Sequence, residues 1–301
     1  MIQAPARVEE VAAARARRPF RFACRLLRHP SAAFGAVILC VFSVVALFAD
    51  GVAPFDPNEA RLIDRLSPPA WLLGGGGNYL LGTDQLGRDI FSRILYGTRV
   101  SLLVGLLSVS MSMLIGLALG TCAGFYRGWF DALVSRFADL LMAFPYLIFT
   151  VGLMAVIGPG FWNLVFALSF KGWVEFFRLV RGETFVQQSR EYVEAARAIG
   201  ASSMRIIGRH IVPNIIHTSI VLATLRMGYF IVLEASLSYL GLGVPPRIPA
   251  WGSMVADGKE VLFTAWWVST FPGLAIGALV LAVNLLGEGM REILDPRLRI
   301  G

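Results

Sequence analysis

The sequence predicts an all-α polytopic membrane protein with six transmembrane helices, and three observations carry that prediction. Hydrophobic residues make up 56% of the 301 and charged residues only 16%, at a mean hydropathy of +0.66; a soluble domain carries about 25% charged residues. Four runs, Ser31 to Ala49, Val100 to Tyr126, Leu140 to Phe170 and Val261 to Gly287, contain no Asp, Glu, Lys or Arg. Basic residues concentrate in alternate connections between these runs.

Roughly 20 apolar residues cross a bilayer core. The first, second and fourth runs therefore hold one span each. The third is too long for one and is broken by the turn Gly158-Pro159-Gly160, which leaves one helix before it and another that continues to Val180. A further span runs from Pro213 to Ser236, interrupted by Arg226. The division that follows is a basic tail over 1–30, a first helix over 31–52, a segment over 53–99, a five-helix core over 100–288 and a tail over 289–301. An Arg-rich start before an apolar run also fits a secretory signal. This run exceeds an ordinary signal core and no small-x-small site follows, so the first helix is read as retained.

With both ends inside, the inner segments hold 18 of the 27 basic residues and the outer segments 7. That asymmetry sets an N-in, C-in orientation. The net charge of +7 is thus mostly a topology signal, and nucleic acid is not an expected partner. Six arginines of the tail, from Arg15 to Arg28, would attract anionic membrane lipid by about 1 kcal/mol each near the surface.

The segment 53–99 is rich in proline and glycine, including the run Gly74 to Gly77. At its end Thr83 is placed to cap a short amphipathic helix, with Ile90, Ile94 and Leu95 on one face, lying at the membrane interface. The second span carries small residues at every fourth position, Ser108, Ser112, Gly116, Gly120 and Gly124, a stripe that lets another helix approach closely. Gly273 and Gly277 mark the last span in the same way.

Charges at membrane depth are expensive and usually face a bundle interior or a watery cavity. Lys171 and Glu175 are four apart, share a helix face and are expected to pair. Arg226, Glu234 and Asp139 raise the same question of pair or pathway. No series of acids and histidines along one face suggests a proton relay. Cys24, Cys40 and Cys122 offer no disulfide framework, and His29, His210 and His217 lack metal-ligand spacing. Asp84 and Asp89 lack the spacing of a calcium loop.

Catalytic motifs are missing. There is no phosphate-binding GxxxxGK[ST], since Gly258-Lys259 is followed by Glu260, and no HExxH or GxSxG. No cofactor, metal or catalytic role is expected of this chain, and if transport is driven, the power comes from another chain.

The stretch EYVEAARAIGASSMRIIGRHIVPN, Glu191 to Asn214, is polar where its surroundings are not. Ser189 is placed to cap a helix ending at Ile199, with Gly200 as the residue that reverses the chain, and Ser202 to cap a second that ends against Pro213. Ala195, Ala196 and Ile199, flanked by Glu194 and Arg197, form a low face that another protein can approach.

The spacing of Glu194-Ala195-Ala196, Gly200 and Ile211-Val212-Pro213 resembles the EAA signature of binding-protein-dependent ABC importer permeases. Valine before the proline, where leucine is usual, and His210 are departures. LGTDQLGRDIFSRILYGTRVSL, ASLSYLGLGVPPRIPAWGSMV and NLLGEGMREILDPRLR resemble the dipeptide, oligopeptide, nickel and opine branch, of the DppC/OppC type, over residues 30 to 299. The resemblance implies a MetI-like type I importer permease in the bacterial inner membrane. Its implied partners are a sister permease, two cytoplasmic ATPase subunits that hold ATP and Mg, and an external solute-binding protein. Residues 189–213 would be the coupling hairpin. Peptides are the implied substrate, with glutathione, nickel chelates or opines as alternatives. An ion-coupled secondary transporter is the competing class; it predicts inverted halves with broken helices, and no such repeat is seen.

The orientation predicts that, in a background without the three native cysteines, Gly76→Cys reacts with an impermeant thiol reagent from outside and Ser202→Cys only from inside. The reverse pattern at both positions would refute it.

Overall fold

The computed structural model describes residues 29–72 and 78–294. The basic tail up to Arg28, Cys24, the glycines from Gly74 to Gly77 and residues 295–301 lie outside these, as does most of the expected C-terminal tail. The described residues form helices joined by turns, with a single isolated bridge, Thr83 to Asp89, and no strand.

Helix α1, Pro30–Val52, begins with proline in its first turn, where the missing N–H is no loss. It lies along the last helix, α9, Trp267–Leu294. Glycine permits this approach: a Cβ at Gly35 would lie 2.5 Å from the Ala282 carbonyl oxygen, and one at Gly289 would lie 2.3 Å from the Ala32 Cβ. At the small residues singled out in the sequence, Gly273 and Gly277, a Cβ would meet nothing within 4 Å among the described residues.

The segment after α1 folds into a buckle instead of an interfacial helix. Thr83 does not cap a helix. Its hydroxyl donates to the Asp64 carbonyl at 2.5 Å and accepts from the Ser67 N–H at 2.8 Å, and its carbonyl accepts from the Trp267 indole. Asp84 accepts from the N–H groups of Leu86 and Arg88 and from the Arg88 guanidinium at 2.7 Å. The cap is Asp89, whose carboxylate accepts from the Ser92 N–H at 2.8 Å. From there α2, Ile90–Tyr126, runs unbroken for 37 residues. The expected interfacial helix is therefore the first turns of the second span, and Arg93 is 2% exposed, turned toward Asp84 and the Pro57 carbonyl. Gln85 and Arg88 tie the buckle to Asp257 of α8, Trp251–Lys259. Burial holds the Asp257 carboxyl above its ordinary range, and Arg88 and Arg93 act against that.

After α2 the chain forms α3, Gly128–Met142, and α4, Tyr146–Ile157, which meet at 93°. The stretch from Leu140 to the Gly158 turn, expected as the third span, is divided between the last residues of α3 and the whole of α4. Pro145 lacks an N–H to continue α3 and favours an extended residue before it. The turn at Gly158 falls as the sequence predicts, with φ +83° at Gly158, and Asn163 donates to the carbonyls of Ile157 and Gly158. Helix α5, Phe161–Gln188, then continues two turns beyond Val180.

The densest packing joins α2 to α5. Ser108, Ser112, Gly116, Gly120 and Gly124 are all buried in this seam. A Cβ on Gly116 would sit 2.8 Å from the Phe177 nitrogen, one on Gly120 2.8 Å from the Phe177 carbonyl oxygen, and one on Gly124 2.7 Å from the Thr184 Cβ. Gly172 of α5 answers from the other side, where a Cβ would meet the Ser112 hydroxyl.

Four described helices are long and apolar enough to cross a membrane: α1, α2, α9 and Ser203–Tyr239, here α7. The bent pair counts as a fifth if it is one broken span. A sixth crossing needs α5, whose 28 residues reach about 42 Å but carry five charges.

Gly116→Ala is expected to destabilise the detergent-solubilised chain by about 1–3 kcal/mol through overpacking against backbone that cannot retreat. Gly182→Ala, where a Cβ meets nothing, is expected to be neutral or to stabilise by up to about 1 kcal/mol through helix propensity. Thermal unfolding of both variants checks this; equal effects would contradict the seam.

Candidate functional site: the Glu191–Asn214 hairpin and the mid-helix charges

Helix α6, Glu191–Ala198, follows directly on α5. Its N-cap is Arg190, and the Ser189 hydroxyl points back to the Phe185 carbonyl, so Ser189 does not cap it. At the other end the Gly200 N–H donates to the Arg197 carbonyl and the Ala201 N–H to the Ala196 carbonyl, with φ +79° at Gly200. This is the Schellman arrangement, which satisfies carbonyls that a helix end leaves free. Gly200 thus takes the position expected of it.

Ser202 precedes the next helix without a side-chain cap. That helix does not end at Pro213. It passes through a π-helical turn, Ile207–Ile211, into Val212–Tyr239, so that α7 is continuous from Ser203 to Tyr239. The wider turn lets the Val212 N–H reach the Ile207 carbonyl, and Pro213, which has no N–H to give, is accommodated at the next position. The Asn214 side chain donates to the His210 carbonyl at 2.7 Å.

The two sides of α6 differ from the expected arrangement. Val193 and Ala196 are buried against Val180 of α5 and against Ile206, Ile211 and Ile215 of α7. Ala196 is therefore an anchor that holds the hairpin to the bundle, and the exposed apolar residues include Ala195, Ala198 and Ile199 on and just after α6 and Met204 at the start of α7, the last two 86% and 74% exposed, with the charged Glu191 and Arg197 exposed among them. Glu194 is exposed beside them. The Arg197 guanidinium lies over the Phe125 ring at 5.6 Å, which braces α6 on the end of α2.

Among the mid-helix charges the ion pair is Glu175 with Arg226 of α7, across two helices. The expected Lys171–Glu175 pair is not formed. The Lys171 ammonium donates instead to the Phe144 carbonyl, at the break between α3 and α4, and sits over the rings of Tyr146 and Phe149 at 5.5 and 5.4 Å. Spacing of four residues put both on one face, but Pro145 leaves a carbonyl near Lys171, and Arg226 offers Glu175 a guanidinium. Asp139 pairs with Arg178 at 2.6 Å. Glu234 is fully buried and accepts from the hydroxyls of Ser101 and Ser238. Neither joins Arg226. The Glu175–Arg226 partnership had no signal in sequence spacing, because it depends on how α5 and α7 cross. Among the described residues no cluster of His, Cys, Asp and Glu is placed to hold a metal.

Residues 112–300 match the model of a family described as the binding-protein-dependent transport system inner membrane component. The chain belongs to this family. Residues 19–69 also match the N-terminal transmembrane domain of oligopeptide transport permease C. A di/tripeptide transport system permease protein, DppC, of Pseudomonas aeruginosa is 42% identical over 90% of each chain. A glutathione transport system permease protein, GsiD, of Pectobacterium atrosepticum is 41% identical over 94% of this chain and 93% of its own. The MetNI methionine ABC transporter in an inward-facing form has a chain that aligns at a TM-score of 0.57 and 17% identity, over 68% of this permease and 98% of its own length. That likeness shows a MetI-like fold. The permease is thus an inner-membrane component of an ABC importer.

A double-mutant cycle on Glu175→Gln and Arg226→Gln is expected to give a coupling of about 1–3 kcal/mol in the stability of the solubilised permease, because either single change leaves a charge unpaired in a poorly solvated site. The same cycle on Lys171→Met and Glu175→Gln is expected to give a smaller coupling, because Lys171 is held by the Phe144 carbonyl and two rings and not by the Glu175 carboxylate. Strong coupling in the second cycle and none in the first would reverse the assignment.

Proposed function

We propose that this permease pairs with a related permease to form the path through which an ATP-driven importer moves di- or oligopeptides delivered by an external solute-binding protein. ATP and Mg belong to two separate ATPase subunits on the cytoplasmic side, where both termini and the α6 hairpin of this chain also lie. The permease itself performs no catalysis.

The observation that carries the reading is the hairpin. It exposes apolar residues, Ala195, Ala198 and Ile199 along one ridge and Met204 on the next helix, at a place where a membrane protein standing alone would gain nothing from them. The same element is anchored from behind through Val193 and Ala196. A docked ATPase that shifted this ridge would move α5 and α7 with it, since Val180, Ile206 and Ile215 share one packed cluster with the anchors. Glu194, at the ridge edge, supplies a charge to fix orientation, and a basic partner group is its complement.

Peptides are the proposed substrate because the similar permeases carry peptide names, and glutathione, itself a tripeptide, is the second reading through the 41% identical relative. Binding measurements on the cognate solute-binding protein with dipeptides and glutathione decide between them.

Ala195→Trp is expected to leave the permease folded and paired with its sister, while ATPase association and transport-coupled ATP hydrolysis fall by about tenfold or more, the loss expected when a tightly packed centre is propped open. Ala196→Trp, by contrast, is expected to unseat the hairpin itself and lower thermal stability by about 1–3 kcal/mol. Gly200→Val forces a branched residue to positive φ, at a cost of about 1 kcal/mol or more. Uptake at the wild-type rate with Ala195→Trp would overturn the coupling role.

A further inference from the structure

The charges at mid-membrane remain to be explained. Glu175 is the fifteenth of the 28 residues of α5, and Arg226 stands near the middle of Pro213 to Ser236, the apolar stretch of α7. Their side chains are 34% and 35% exposed, and Tyr229, one turn on from Arg226, is 37% exposed. The open face of α1, more exposed still, carries Val37, Val41 and Leu47, as a lipid-facing surface should. A pair of opposite charges open to hydrocarbon at that depth is strongly unfavourable. The face bearing Glu175 and Arg226 therefore meets either another protein chain or a water-filled path.

Two further details favour the path. The Arg226 guanidinium meets Glu175 through Nε, and a carboxylate takes two of a guanidinium's five N–H donors side by side, which leaves others for a second carboxylate. Around the pair stand aromatic rings, with Lys171 one turn away on the same helix as Glu175. The guanidinium lies 5.7 Å from the Tyr229 ring, Tyr229 packs edge-on to Tyr146 at 5.5 Å, and Lys171 is held under Tyr146 and 6% exposed. Lys171 is thus taken up by the helix break and leaves Glu175 to Arg226.

We infer that Glu175, Arg226 and Tyr229 form a polar contact point on the translocation path for a zwitterionic solute, Glu175 taking its ammonium and Arg226 its carboxylate while Tyr229 backs the solute between them. The inference rests on the importer reading and adds to it a chemical class of solute and the residues that meet it. An ion pair suits the task because it is self-neutralised when the path is empty. When it opens, each charge exchanges one partner for another of the same sign, so neither is left unpaired in a poorly solvated site. A free peptide presents both an ammonium and a carboxylate.

The test uses the full complex, with sister permease, ATPases and solute-binding protein, in proteoliposomes. In a background without native cysteines, Tyr229→Cys is expected to react with a charged methanethiosulfonate reagent at least about tenfold faster than Val41→Cys, whose position faces lipid. Equal inertness would overturn the inference, and so would a cysteine that reacts in the isolated permease but not in the complex, which would mark a dry contact with the sister chain. In the second arm, Glu175→Gln/Arg226→Gln is expected to lower dialanine uptake by about tenfold or more through the loss of charge-assisted contacts, with the amount of assembled complex unchanged. Uptake at the wild-type rate would overturn the inference. If the double variant does not assemble, the labelling arm alone decides. If the wild-type complex takes up no dialanine, the peptide reading fails, and labelling still reports whether Tyr229 lines a path.

Discussion

Close approach of α2 and α5 is the constraint on which the remaining structure depends. Between helices in lipid there is no hydrophobic driving force, so association rests on packing and on the few polar contacts a bilayer permits. Gly116, Gly120 and Gly124 on one helix and Gly172 on the other bring backbone against side chain at distances that no Cβ would tolerate. The seam fixes the position of α5, and with it Lys171 under the α3–α4 break and Glu175 facing Arg226. At the far end of α5 it also fixes where α6 begins.

Most polar groups buried in this bundle are satisfied locally; among the described residues Asp89 Oδ1, Arg93 Nε and Ser108 Oγ lack a hydrogen-bond partner. Asp84 and Asp89 hold the turn before α2 and its first N–H groups. Glu234 takes two serine hydroxyls. Hydroxyls of Ser112, Thr121, Ser169 and Thr184 donate to carbonyls four residues back, which keeps them silent in an apolar setting. Against that background the half-exposed Glu175–Arg226 pair and the apolar ridge of α6 stand out. One is a charge pair where lipid would forbid it, and the other a greasy edge on a polar hairpin. Each makes physical sense only in a larger assembly.

Much of this was legible in the chain itself. The small-residue stripe, the turn at Gly158, the apolar runs and the positive-φ role of Gly200 follow from local chemistry, because each is dictated by residues within a turn or two. What was not legible depends on tertiary placement. Ala195 and Ala196 are adjacent and chemically identical, and only the packing of α6 on Ile206, Ile211 and Ile215 decides that Ala196 points inward. Thr83 and Asp89 are both good caps; the contacts of Thr83 with Asp64 and Ser67 leave the capping to Asp89. Lys171 and Glu175 have ideal pairing spacing, yet a proline-broken carbonyl and an arginine from another helix compete for them. Pro213 reads as a stop, and the π turn before it removes the conflict.

The central claim is that the outward ridge of α6 is where force from ATP hydrolysis enters this permease. A photo-crosslinking residue placed at Ile199 in the assembled complex tests it most directly. The account predicts a crosslink to an ATPase subunit whose yield changes when ATP is added, with no such product from the same probe at Val41. A probe at Ile199 that captures only lipid or solvent in an active, ATP-hydrolysing complex would contradict it.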